Sequence, residues 1–244
     1  MWLRADLGSE SPPYNYVTWM GGEPRDFTRK YVERGAVAVS LAGPRSESVG
    51  WLPDLQGLRS VLSMSALKDD SPVWECPGLE EVVLANGCQQ PARLDTVPRL
   101  RFLQLDWRPG LDSMDRHEAL RILHVWRTPQ LGWLDAGPAL RVLKVTGRRR
   151  SLPLSLDGAQ FGAVSALVLD RCLLTDVGSL GAATGLRGLA LDGVSMTAGT
   201  AGQLVDALSE LPLLEEVNVW RCEGLHATDV AAAVPATCTV TELS

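Results

Sequence analysis

Lysine is scarce in this chain: Lys30, Lys68 and Lys144 stand against 20 arginines. That bias fits a GC-rich bacterial genome. No excess of positive charge accompanies it, because the 244 residues carry a formal net charge of -6 and a pI near 5.1. Neutralising nucleic-acid phosphates requires a basic face, so a nucleic-acid partner is not expected. The run Arg148-Arg149-Arg150 is the local exception and reads as a solvated loop after a strand. Histidine is equally sparse, and His117, His124 and His226 are too scattered to form a metal cluster. The five cysteines, an odd number with no C-x-x-C pair and no close histidine partner, indicate neither a zinc site nor a disulfide framework. No stretch of about 18 uncharged apolar residues occurs, and the start, Met1-Trp2-Leu3-Arg4, lacks the pattern of a signal peptide. No N-x-S/T sequon is present. A soluble cytoplasmic protein without cofactor or membrane contact is expected. Nucleophile-elbow, zinc-protease and phosphate-loop strings are also missing.

What the chain does contain is a period. An L-x-x-L-x-L motif recurs in Leu79-x-x-Val82-x-Leu84, Leu100-x-x-Leu103-x-Leu105, Leu120-x-x-Leu123-x-Val125 and Leu140-x-x-Leu143-x-Val145. It continues in Val164-x-x-Leu167-x-Leu169, Leu186-x-x-Leu189-x-Leu191 and Leu214-x-x-Val217-x-Val219. With an imperfect copy at Leu58, the steps between onsets are 21, 21, 20, 20, 24, 22 and 28 residues. Ala36-x-x-Val39-x-Leu41 fits one step earlier, and Val240-x-x-Leu243 is a candidate truncated step. Alternation of aliphatic and variable residues has period two, so each copy reads as a short strand with its aliphatic residues in a core. One such strand cannot bury its face alone. Stacked copies give a parallel sheet, with the remaining residues returning along the opposite side.

On these copies the chain resembles the leucine-rich repeat family, of a bacterial intracellular type, over roughly residues 36 to 243. The resemblance implies an α/β solenoid, a horseshoe with a concave parallel β-sheet. Its pattern places a buried Asn or Cys three residues after the third leucine, which Cys172 and Cys222 match. Gly87, Arg108, Thr128, Arg148 and Val194 stand there in other copies, so no regular asparagine ladder is expected. Both cysteines read as structural. Return segments carrying Pro98, Pro129 and Pro138 are too short for helices and should be extended or 3₁₀. Leu204, Val205, Leu208 and Leu211, closed by Pro212, predict an α-helix, with a shorter one around Asp229 to Val234. Residues 1–35 fall outside the period and read as an N-terminal cap on a solenoid spanning 36–244; a separate partner-docking segment is the alternative.

Candidate functional residues lie between the leucines. Stacking places Phe102, Ile122 and Val142 in one row, Gln104, His124 and Lys144 in a second, and Asp106, Trp126, Asp170, Asp192 and Trp220 in a third. Arg127 and Arg221 follow two of these tryptophans. An apolar strip ringed by polar groups, with Trp and Arg beside it, is the pattern of a contact surface; the alternative is that these side chains pack on one another or that the N-terminal segment folds over them. The resemblance implies non-catalytic recognition of another protein through this face, by a monomeric adaptor or an immunity or inhibitor factor. A constitutive regulatory or scaffolding subunit of an enzyme assembly is the alternative. A hydrolase built on the diagonal pair Asp106 and His124 is the weakest reading.

Overall fold

The computed structural model describes residues 14–42, 49–63, 67, 69–84, 87–88, 90–147 and 152–243. Ala85, Asn86, Arg148–Arg150 and residues 1–13 of the expected cap lie outside these. The chain opens with β1 (Tyr16–Trp19), a helix over Pro24–Glu33, β2 (Ala38–Leu41), β3 (Ser60–Ser63) and β4 (Glu81–Leu84). It continues through β5 (Phe102–Asp106), β6 (Ile122–Trp126), β7 (Val142–Thr146), β8 (Pro153–Ser155), β9 (Ala166–Asp170) and β10 (Leu173–Asp176). The last part holds β11 (Gly188–Asp192), β12 (Ser195–Met196), β13 (Glu216–Trp220) and β14 (Thr239–Leu243). Among the described residues, eleven strands form one sheet in the order β1-β2-β3-β4-β5-β6-β7-β9-β11-β13-β14. Every neighbouring pair is parallel, so the architecture is an α/β solenoid of the leucine-rich repeat kind.

The leucine period sets this register directly. Val82, Leu103, Leu123, Leu143, Leu167, Leu189 and Val217 pair in one continuous row, and each is 0% exposed. Full burial of such a side chain is worth roughly 1.5–3 kcal/mol, which makes this ladder the main term holding the repeats together. The return side follows from chain length and proline. Five short units make 3₁₀ segments: Leu52–Asp54, Ser71–Glu75, Leu94–Thr96, Leu111–Arg116, which is kinked at Ser113, and Leu180–Ala182. The 28-residue step accommodates the α-helix Ala198–Ser209, which buries Ala201, Leu204 and Leu208. Thr197 caps it, its hydroxyl accepting from the Thr200 backbone N–H at 3.2 Å. A second helix covers Ala227–Ala233. Beyond these expected elements, β12, β10 and β8 form a small parallel sheet apart from the main one.

Three details differ from the spacing. Gly87, expected at the buried turn position, instead has φ 69° and matches the left-handed residues Arg127, Arg171, Gly193 and Arg221 of other units. Cys88 then takes the buried site, at 5% exposure, beside Thr128, Cys172 and Val194 of those units. Val240 pairs with Val217, so it is the inward residue of β14 rather than the onset of a unit. Residues 14–35 supply a strand in the main sheet and a helix whose Phe27 packs on Trp51, with ring centroids 4.9 Å apart. Arg108 and Asp70 form an ion pair at 2.5 Å with both side chains 0% exposed. Among the described residues no helix is long and apolar enough to cross a membrane.

Candidate functional site

The face of the sheet opposite the leucine core carries the expected rows. Phe102, Ile122 and Val142 pair in sequence across β5, β6 and β7, and so do Gln104, His124 and Lys144. Asp106, Trp126, Thr146, Asp170, Asp192 and Trp220 make the third row. The apolar strip is less open than expected. Ile122 and Val142 are 7% and 4% exposed, and they pack with Ala166, Val168 and Ala190 in a second apolar cluster with Phe102 at its border. Lateral packing along the row, which spacing does not reveal, turns the strip into a floor. Trp126 and Trp220 are separated by four strand spacings, about 19 Å along the sheet, so they do not share one pocket.

At the strand exits the backbone turns left-handed. Arg127, Arg171 and Arg221 adopt φ of 65°, 52° and 50°, a conformation that costs a residue with a Cβ roughly 1–2 kcal/mol. Each guanidinium grips a third-row aspartate. Arg127 Nη2 lies 2.7 Å from both carboxylate oxygens of Asp106, which also accepts the Gly87 backbone N–H at 2.8 Å. Arg171 Nε donates to Asp170 at 3.0 Å, and Arg221 Nε donates to Asp192 at 3.0 Å. Between the first two arginines sits Gly147. A Cβ there would meet the Arg171 carbonyl oxygen at 2.1 Å, so only glycine allows this close approach. The result is an open pocket of about 270 Å³ lined by Trp126, Arg127, Thr146, Gly147 and Arg171.

His124 lies beside it. Its Nε2 accepts from the Trp126 indole N–H and lies 2.9 Å from Thr146 Oγ1, whose single proton is shared between Nε2 and the Asp170 carboxylate at 3.3 Å. Burial, then the charges of Lys144 and Arg171, lower the His124 pKa to about 3. The diagonal pair proposed for a hydrolase is therefore not formed. Asp106 is held by Arg127 and Gly87, His124 bonds to Trp126 and Thr146, and an imidazole of so low a pKa is a poor base near neutrality. The Cys172 thiol is also pushed up to about 12, first by burial, which makes it inert as a nucleophile. Among the described residues no group of three or more His, Cys, Asp and Glu could hold a metal ion.

Spacing missed some of the site. The repeat register puts Thr146 in the third row and Arg171 just after it, but only the left-handed turn brings the Arg171 backbone over Gly147 at the pocket. At the other end of the face, Tyr16 Oη lies 3.0 Å from Ser60 Oγ and donates to Glu81 at 3.2 Å, reaching over the small Ala38 between them. Ser60 Oγ donates to the same Glu81 oxygen at 2.9 Å. Tyr16 lies before the first repeat, so no motif pointed to it.

No protein-family model and no curated protein matches this sequence. Among solved structures, the chain is similar to an internalin C2 from Listeria monocytogenes. The identity is 15%, the match covers 86% of this chain and 81% of that one, and the TM-score is 0.47.

Proposed function

We infer that this chain is a non-catalytic recognition module that binds another protein through the concave face of its sheet, as an adaptor or an immunity or inhibitor factor. The observation that carries this reading is the central stretch from β5 to β9. There Trp126, Arg127 and Arg171 line an open pocket at the strand exits. A packed apolar patch of Phe102, Ile122 and Val142 lies at the start of the same strands, and Lys144 stands between the two on β7. Trp and Arg combine large contact area with directional polar bonds, which suits them to anchor an interface. Phe102, Ile122 and Val142 form the apolar floor. Gln104, Asp106, His124, Trp126, Arg127 and Lys144 stand above it, with Asp170, Asp192, Trp220 and Arg221 extending the contact toward the C-terminal end. Rigid strands hold these side chains, so little ordering is left to oppose binding.

The reading is tested by immobilising the full chain, capturing and identifying its partner from the native host, and repeating the capture with Trp126→Ala and Trp220→Ala. Loss of capture with an unchanged circular dichroism spectrum supports the concave face. Full capture by the double variant moves the site elsewhere.

A further inference from the structure

Lys144 is the only lysine in the described concave rows, and it lies at their centre. It stands between His124 and Val168 in the second row, flanked on its own strand by Val142 and Thr146. Ile122, Val142, Ala166 and Val168 around it belong to the buried apolar cluster. Among the described residues this half-buried lysine has no hydrogen-bond or ion-pair partner for its ammonium. A cation beside apolar side chains and without a counter-ion is a place where a bound anion forms a charge-assisted contact.

Two further cations adjoin it. Arg127 and Arg171 line the pocket with side chains 41% and 58% exposed. Each is tied to one carboxylate, Asp106 or Asp170, yet a guanidinium carries five donors and neither arginine spends all of them. Three cations thus face two carboxylates. His124 adds no charge to this balance, because burial and the fields of Lys144 and Arg171 keep its ring neutral. Lys144 stands two residues before the pocket-lining Thr146 on the same face of its strand, and pairs in register with His124, which bonds to Trp126 and Thr146. Trp126 supplies a flat wall and Thr146 a hydroxyl.

We propose that Lys144 and the pocket bounded by Trp126, Arg127 and Arg171 receive a carboxylate from an acidic segment of the partner protein, while an apolar residue beside it rests on Ile122 and Val142. The single surplus charge matches a monoanion. A phosphate dianion would bring excess negative charge against Asp106 and Asp170. This assignment rests on the concave-face reading above and specifies its chemistry.

The test titrates the full chain with three peptides: Ala-Leu-Glu-Leu-Ala blocked at both ends, its blocked Gln analogue, and the Gln peptide with a free C-terminus. The Trp126 indole and Lys144 side-chain resonances are followed, with inorganic phosphate as a fourth titrant. The Glu peptide or the free-carboxylate peptide should shift both resonances, and the tighter of the two identifies a side-chain or a terminal source. Lys144→Met, an apolar near-isostere, should weaken that binding about tenfold, as should Arg171→Gln, with thermal midpoints close to the parent. Equal response to the Glu and blocked Gln peptides, no response to any peptide, phosphate binding tighter than peptide, or indifference to Lys144→Met overturns the assignment. Charge-independent shifts on β5–β9 would overturn the carboxylate alone. Shifts confined to residues off the sheet would overturn the concave-face reading as well.

Discussion

At the N-terminal end of the concave face, Tyr16, Ser60 and Glu81 share one row and bond to one another. Near its middle, Lys144 has no counter-ion among the described residues and stands beside a pocket edged by two left-handed arginines. Both regions lie on the same sheet over the same leucine ladder. The first ties its polar groups to one another. The second leaves one charge unpaired and holds strained backbone, features that concentrate where something binds. The repeat thus supplies a common frame, and residual unsatisfied chemistry singles out one stretch of it.

The largest expected effect comes from breaking the frame that both regions share. Asp70→Ala strands Arg108 in the interior and should cost about 3–5 kcal/mol in urea denaturation; a change below about 1 kcal/mol would mean that water reaches the pair. Next is Trp126→Ala, which should weaken partner binding by about 2 kcal/mol or more in calorimetry while leaving the sheet folded. Tyr16→Phe tests the other side of the contrast. It should lower stability by about 1 kcal/mol through lost hydrogen bonds and leave partner affinity unchanged. Smallest is Arg171→Gly, which relieves left-handed backbone but loses an exposed pair with Asp170, so stability should hold or rise by up to about 1 kcal/mol while affinity falls.

The pH dependence separates the regions again. The folded pKa of His124, about 3, lies below its ordinary value near 6.5, so the unfolded chain binds more protons between them. Its contribution to stability is therefore complete above about pH 6.5 and is lost as the pH falls toward 3. The His124 ring should show no titration between pH 5 and 8 by NMR, and His124→Asn should flatten the acid limb of the stability profile. A ring that titrates near 6.5 would place it in water instead.

The solenoid was legible because aliphatic spacing and strand register are one property: residues that must share a core must align. The rows from Phe102 to Trp220 followed from that alone, as did the helix closed by Pro212. Spacing says nothing of how side chains lean within a row, so the packing of Ile122 and Val142 into a floor was not readable. Nor were the cross-strand grips of Arg127 on Asp106 and Arg221 on Asp192, which depend on left-handed backbone at residues other than glycine. Tyr16 and the helix Pro24–Glu33 escaped for a different reason, since they precede the period and carry none of its aliphatic triads.

The central claim, that the middle of the concave face is where a partner binds, is tested most directly by the affinity of the captured partner for three forms of the full chain: parent, Trp126→Ala and Tyr16→Phe. The account predicts at least about a 30-fold loss for Trp126→Ala and parent-like affinity for Tyr16→Phe. Parent-like affinity of Trp126→Ala, or a loss confined to Tyr16→Phe, would contradict it.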